Sequence, residues 1–204
     1  PMPDFPSPLD PDLAPALGSV VLAALLASRQ DGCGMPRGFY TTEALYAAEL
    51  QRVWQSGWLF AGFAFEVPNP GDFLTLSVGQ APVLVIRGDD GLVRAFHNVC
   101  RHRGSQICRT VSGHVRALVC PYHSWTYSQR GELIACHGMH DGVDKSKLGL
   151  KPVHAEVVAG LIYVSLSEAP PSLDGLLRRF EVAGAPQGFD RARIAHTIEY
   201  EVEA

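Results

Sequence analysis

Hydrophobic and polar positions change their period twice along this chain. From Leu13 to Ala27 the run LAPALGSVVLAALLA is nearly all apolar, broken by Pro15 and Gly18, and predicts a short helix. A second helix is expected after Thr41-Thr42-Glu43. Either threonine suits its cap, and Glu43 falls in the positive first turn. Tyr46, Leu50, Val53, Trp54 and Trp58 then recur at helical spacing and predict a core-facing stripe. From Leu59 the period becomes two. Phe73 to Val78, Pro82 to Arg87 and Leu92 to His97 read as strands, the last two joined by Gly88-Asp89-Asp90-Gly91. Val115 to Val119 and Ser124 to Tyr127 follow, with a turn at Gln129-Arg130-Gly131, and Val157 to Leu166 is a β-branched run. After Ala169-Pro170-Pro171 the composition shifts. Ser172 to Phe180 predicts a short helix, and Ile194 to Val202 alternates like a strand that has no visible partner. The fold class is therefore mainly β. A small antiparallel barrel or sandwich is expected over 55–167, behind an N-terminal extension with helices over 1–54.

Composition narrows the functional classes. The chain has 204 residues, 47% hydrophobic and 19% charged, which is globular and enough for one domain plus part of another. Its 20 Gly and 15 Pro suit short strands and many turns. A net charge of -4 without a long basic run argues against nucleic acid. The apolar stretch near the start is too short and broken to span a bilayer. Asp4, Asp10 and Asp12 precede it in place of the basic residues of a signal peptide, so no membrane association is expected. Cysteine is sparse. Cys33, Cys108 and Cys136 are irregularly spaced and suggest no disulfide framework.

The remaining two cysteines carry the chemistry. Cys100-Arg101-His102-Arg103-Gly104 and Cys120-Pro121-Tyr122-His123 each supply one thiolate and one imidazole. Two Cys and two His suit one tetrahedral zinc, or a [2Fe–2S] cluster in which two His replace two Cys on one iron. Zinc motifs usually pair Cys with Cys and His with His, whereas here each motif mixes them. A binuclear cluster explains the mixing: Cys100 and Cys120 on one iron, His102 and His123 on the other, held by two facing loops. Gly104 allows close backbone approach, Pro121 stiffens the second loop, and Trp125 is placed to cover the apolar side.

C-R-H-R-G and C-P-Y-H-S-W resemble the Rieske signature of the oxygenase (alpha) subunits of ring-hydroxylating dioxygenases and related monooxygenases. Arg103 and Ser124 follow the two histidines where the respiratory Rieske protein carries an extra cysteine pair. The lead Gly38-Phe39-Tyr40-Thr41-Thr42-Glu43 is similar to the segment that precedes the Rieske domain in oxygenase subunits. The resemblance implies a Rieske cluster fed by a reductase or ferredoxin and a ring-shaped homotrimer. It also implies that 168–204 begins an α+β catalytic domain, whose mononuclear Fe(II) site lies beyond Ala204. The lead and C-P-Y-H-S-W look most like the branch acting on quaternary amines such as choline, glycine betaine or carnitine. A labile cluster favours a reducing cytoplasm. The alternative function is a stand-alone Rieske-type electron carrier.

Other residues carry side chains suited to the same chemistry. Arg101, Arg103 and Arg109 surround the first loop, either bonding loop carbonyls or receiving an electron donor. Arg103, Gly104, Tyr122 and Trp125 are the candidate cofactor contacts, with Tyr122 able to donate to a cluster sulfur. His97 and His102 are four apart, but His102 belongs to the cluster. Cys136-His137-Gly138-Met139-His140, with Asp141 and Asp144 after it, reads as a solvent-facing loop, and His114 as a turn residue. No second iron site, and hence no oxygenation by these residues alone, is expected.

Overall fold

The computed structural model describes residues 14–139 and 142–202. They form two units, one up to Gly57 and one from Trp58.

The first unit is helical. It contains α1 (Ala14–Ala27), α2 (Gly38–Thr41) and α3 (Glu43–Glu49), with a π-helical turn over Leu50–Trp54. Gly18 brings α1 against α3, because a Cβ there would collide with Ala48 Cβ and lie 2.9 Å from the Ala44 carbonyl oxygen. The expected stripe is not the buried face. Leu45 and Ala48 are buried, whereas Tyr46, Val53 and Trp54 are about half exposed. The π-helical turn shifts the period after Leu50, so residues in helical register on paper do not share a face. Thr42 occupies the cap position of α3, but its side chain makes no capping bond.

The second unit is the expected mainly β body. One antiparallel sheet has the order β1 (Leu59–Phe63), β10 (Leu161–Ser165), β9 (Pro152–Val158), β4 (Val93–His97), β3 (Ala81–Arg87), β2 (Asp72–Val78) and β5 (Ser112–His114). A smaller sheet holds β6 (Leu118–Val119), β7 (Thr126–Tyr127) and β8 (Leu133–Ala135). β3 explains the sequence pattern at its centre. Val83, Leu84, Val85 and Ile86 are all 0% exposed. Alternation sends Leu84 and Ile86 into one core with Phe73, Phe96, Trp125 and Tyr127, and Val83 and Val85 into another with Leu74, Ile162 and Val164. Each such side chain contributes roughly 1.5–3 kcal/mol of burial. The β3–β4 connection is the expected hairpin, with Arg94 forked onto Asp90 at 2.7 and 2.8 Å.

Two strand expectations change. The run Val157 to Leu166 is two strands, parted by Ala159 and Gly160 at φ 47° and 83°. That pair makes a hairpin turn, and alanine at its first position hid the break. The segment Ile194 to Val202 forms no strand. Ile194, Ile198, Tyr200 and Val202 are exposed, and no ladder pairs with them among the described residues. Alternation alone does not make a strand when its N–H and C=O groups have no partner. After β10 comes α4 (Asp174–Gly184), which runs four residues beyond the expected helix.

Candidate metal centre

The two motif loops are built as the same turn. In the first, the Cys100 amide donates to the Ser105 carbonyl at 2.8 Å and the Gly104 amide to the Cys100 carbonyl at 3.0 Å. In the second, the Cys120 amide donates to the Trp125 carbonyl at 2.8 Å and the Ser124 amide to the Cys120 carbonyl at 3.0 Å. The fourth residue after each cysteine is left-handed, Gly104 at φ 73° and Ser124 at φ 56°. Glycine adopts this freely, whereas serine is strained there by about 1–2 kcal/mol. The second loop is anchored at its base by β6 and β7, where Leu118 faces Tyr127 and Val119 faces Thr126.

The first loop is anchored by Asn98, which is 0% exposed. Its Nδ2 donates to the Cys108 carbonyl at 2.7 Å, and its Oδ1 accepts the Cys108 amide at 2.9 Å and the Ile107 amide at 3.3 Å. Tyr127 adds a second anchor. Its hydroxyl accepts the Arg101 amide at 3.0 Å and lies 3.3 Å from Cys100 Sγ. With the oxygen accepting from Arg101, the phenolic proton is free to point at the sulfur. Neither role was read from the sequence. A signal existed for Tyr127: it lies two residues past Trp125, so in a strand leaving the loop both side chains point to one face. Asn98 gave none beyond a polar residue two positions before a cysteine.

The four motif side chains come together as two pairs. Cys100 and Cys120 are 3% and 2% exposed and belong to the same buried core cluster. Burial pushes the Cys100 thiol up, opposed by the Tyr127 and His102 bonds and reinforced by Cys120. The His102 and His123 rings lie 4.7 Å apart at 68°. Nδ1 of each is buried without a hydrogen-bond partner, although neither residue is fully buried. Partial burial, then His123 and Arg103, hold His102 below the ordinary imidazole value, which favours the neutral form that binds metals. Trp125 is 2% exposed and stacks on His102 at 4.8 Å and 6°, with its own Nε1 also buried and unpartnered.

This donor set can be tested against the two metal readings. A tetrahedral zinc needs its four ligands around one point. Among the described residues, no three or more His, Cys, Asp or Glu side chains converge in that way. A thiol pair beside an imidazole pair fits two irons with two protein ligands each. The paired, unpartnered Nδ1 atoms fit it too, because buried ring nitrogens without partners are costly unless a ligand satisfies them.

The remaining candidates separate. Tyr122 is 58% exposed and packs on the His123 ring at 3.8 Å, its hydroxyl bonded to none of the described residues, whereas the Tyr127 hydroxyl lies against Cys100 Sγ. Gly104 is exposed, and a Cβ there would meet no other atom within 4 Å, so its backbone angle is what calls for glycine. Arg101, Arg103 and Arg109 are exposed, and among the described residues none has a guanidinium bond to a loop carbonyl. His114 is no turn residue: it ends β5 and its Nδ1 lies 2.8 Å from Asp72 Oδ1. Cys136 is half-buried against the core and His137 is exposed, while His140 and Asp141 lie outside the described residues. Asp144 accepts the Ser146 amide at 3.1 Å.

Known proteins resemble this chain over the same region. Residues 57–147 match the family model described as the Rieske [2Fe-2S] domain. The chain is 43% identical over 174 residues to the glycine betaine monooxygenase oxygenase subunit of Pseudomonas aeruginosa (strain UCBPP-PA14), covering 85% of this chain and 41% of that protein. It is 37% identical over 157 residues to the biphenyl 2,3-dioxygenase subunit alpha of Rhodococcus jostii (strain RHA1), covering 76% and 34%. The structure of the quaternary ammonium Rieske monooxygenase CntA in complex with L-carnitine superimposes with a TM-score of 0.65 at 29% identity, over 72% of this chain and 44% of that one. The chain thus spans about two fifths of the length of these relatives or less.

Proposed function

Since the chain belongs to the Rieske [2Fe–2S] family, we propose that Cys100 and Cys120 hold one iron of such a cluster and His102 and His123 the other, in an electron-transfer module of an oxygenase. The observation that carries this is the pair of buried, unpartnered Nδ1 atoms beside the buried thiol pair. When bound, such a cluster takes up and returns one electron, in a window of roughly −150 to +300 mV.

The chain's own residues set the conditions for that exchange. Burial of the cysteines keeps water from the thiolates. The Tyr127 hydroxyl and the stacked Trp125 fix the positions of Cys100 and His102. The histidines, less buried than the cysteines, are the edge through which a partner reaches the site. Near that edge Arg103, whose charge acts on His102, and Arg101 beside Cys100 suit an acidic donor, of the reductase or ferredoxin class.

In the full protein this module would serve a mononuclear iron outside these residues, in a homotrimer. The quaternary-amine branch is the favoured substrate class, because the relatives named for glycine betaine are more identical to the chain than those named for aromatic compounds. No helix among the described residues is long and apolar enough to cross a membrane, and the proposed site is the cytoplasm. The test is anaerobic loading with iron and sulfide. Two irons and two sulfides per chain, with one electron taken up in that window, support the assignment. One zinc per chain, with no sulfide retained, overturns it.

A further inference from the structure

A cavity of about 420 Å³ opens beside the first loop, lined by His97, Val99, Cys100, Arg101, Gly104 and Lys151. Three of these six carry cationic or cation-capable side chains, and none is acidic. The fold brings them together. The His97 amide at the end of β4 donates to the Lys151 carbonyl just before β9 at 3.0 Å, and Arg101 enters from the loop.

Among the described residues, neither the Arg101 guanidinium nor the Lys151 ammonium has an ion pair or a hydrogen bond, and the His97 ring has none. The groups feel one another: burial, then the charge on Lys151, hold His97 below its ordinary value. Like charges gathered in a concave place without a counter-charge raise the local potential and favour an anion.

We propose that this cavity is a carboxylate-binding pocket. Arg101 supplies a planar fork matched to two carboxylate oxygens, Lys151 a second positive charge, and His97 one N–H donor. Phosphate fits less well. No helix N-terminus lines the cavity, and the Gly104 amide is already committed to the Cys100 carbonyl, so its further oxygens would lack donors. The carboxylate comes either from a free small molecule or from an acidic side chain of a docking protein. The side-chain source rests on the donor-docking reading above, whereas the pocket itself does not, because its test reads binding alone.

The test is calorimetric titration of the intact chain at constant ionic strength, with acetate for the free carboxylate and N-acetyl-glutamate amide for the side chain. Saturable one-to-one binding that chloride does not mimic is expected. It should weaken about tenfold or more in Lys151→Gln, a loss of roughly 1.4 kcal/mol, and persist in Lys151→Arg. His97→Gln, which keeps a donor, should bind better than His97→Leu. Acetate binding as tightly as the glutamate derivative identifies a free ligand, and a clear preference for the derivative identifies a protein side chain. No saturation with either probe, equal affinity in Lys151→Gln and the parent, or tighter binding of inorganic phosphate would overturn the proposal.

Discussion

Removing the Tyr127 hydroxyl tests the electronic side of the site most directly. Tyr127 is 0% exposed, so Tyr127→Phe keeps the packing and deletes one oxygen. That oxygen has two partners, the Arg101 amide at 3.0 Å and Cys100 Sγ at 3.3 Å. Loss of the first leaves a partly buried N–H unpaired, at a cost of about 1–3 kcal/mol of stability. Loss of the second would take a donor from the thiolate proposed to hold one iron of the cluster. A hydrogen bond to a charged acceptor is worth roughly 1.5–3 kcal/mol net. Both redox states keep this bond, so only its strengthening on reduction enters the potential. If that is about a third of the bond, the difference is roughly 0.5–1 kcal/mol, or about 20–45 mV for one electron. The potential should fall by that amount, because the reduced form loses more. The assay is a redox titration of fully loaded Tyr127→Phe followed by visible circular dichroism. A potential unchanged or raised at full iron content would show that the hydroxyl does not donate to the sulfur.

Three further outcomes are expected. Cys100→Ser and Cys120→Ser should lose bound iron and sulfide, whereas Cys33→Ser, Cys108→Ala and Cys136→Ser should retain both; a full count in Cys100→Ser would refute the ligand assignment. Gly104→Ala should cost about 1–2 kcal/mol in urea unfolding, because the strain of φ 73° is the only penalty where a Cβ meets no neighbour; Ser124→Gly should be neutral or stabilising by up to about 1 kcal/mol. Burial raises the Asp72 carboxyl, but hydrogen bonds from His114 and Asn69 outweigh it and hold the group below its ordinary value. Its contribution is therefore present above the ordinary carboxylate range and lost as pH falls through the folded value, so Asp72→Asn should flatten the acid limb of a stability profile, and an unchanged limb would refute this.

The body of the fold was legible where one period dominates. The continuous run Val83 to Ile86 marked a strand buried on both faces, and Gly88 to Gly91 marked its hairpin. Legibility failed where backbone geometry overrides residue type. Ala159 holds a positive φ in a turn that usually shows Asn, Asp or Gly, so two strands looked like one. The π-helical turn over Leu50–Trp54 moved a helical stripe out of register, with no Pro or Gly in the turn to announce it. Ile194 to Val202 has the alternation of a strand, but alternation reports which faces differ and is silent on whether a neighbour exists to complete the ladder.

At the site, the four candidate ligands were legible because metal chemistry restricts residue type and spacing together. Their supports were not, because support is a matter of direction. Tyr122 stood between two ligands in sequence and was the natural donor on paper, but the second loop turns it outward onto the His123 ring. Tyr127, four residues past His123, points back through the strand to Cys100, a contact across 27 positions. The same logic explains Ser124. Read as a sequence, C-R-H-R-G and C-P-Y-H-S differ at the last position, and only the first contains the glycine a left-handed turn favours. Read as backbone, both loops close with the same pair of hydrogen bonds, from the cysteine amide outward and back to its carbonyl. That shared closure fixes each cysteine carbonyl inside its own turn. The two thiols are then presented by matching frames, while the imidazoles, two and three residues further on, differ in where they leave the turn. Matched cysteines and unmatched histidines would suit the proposed two-iron site: two equivalent anchors on the buried side, and two rings on the less buried edge.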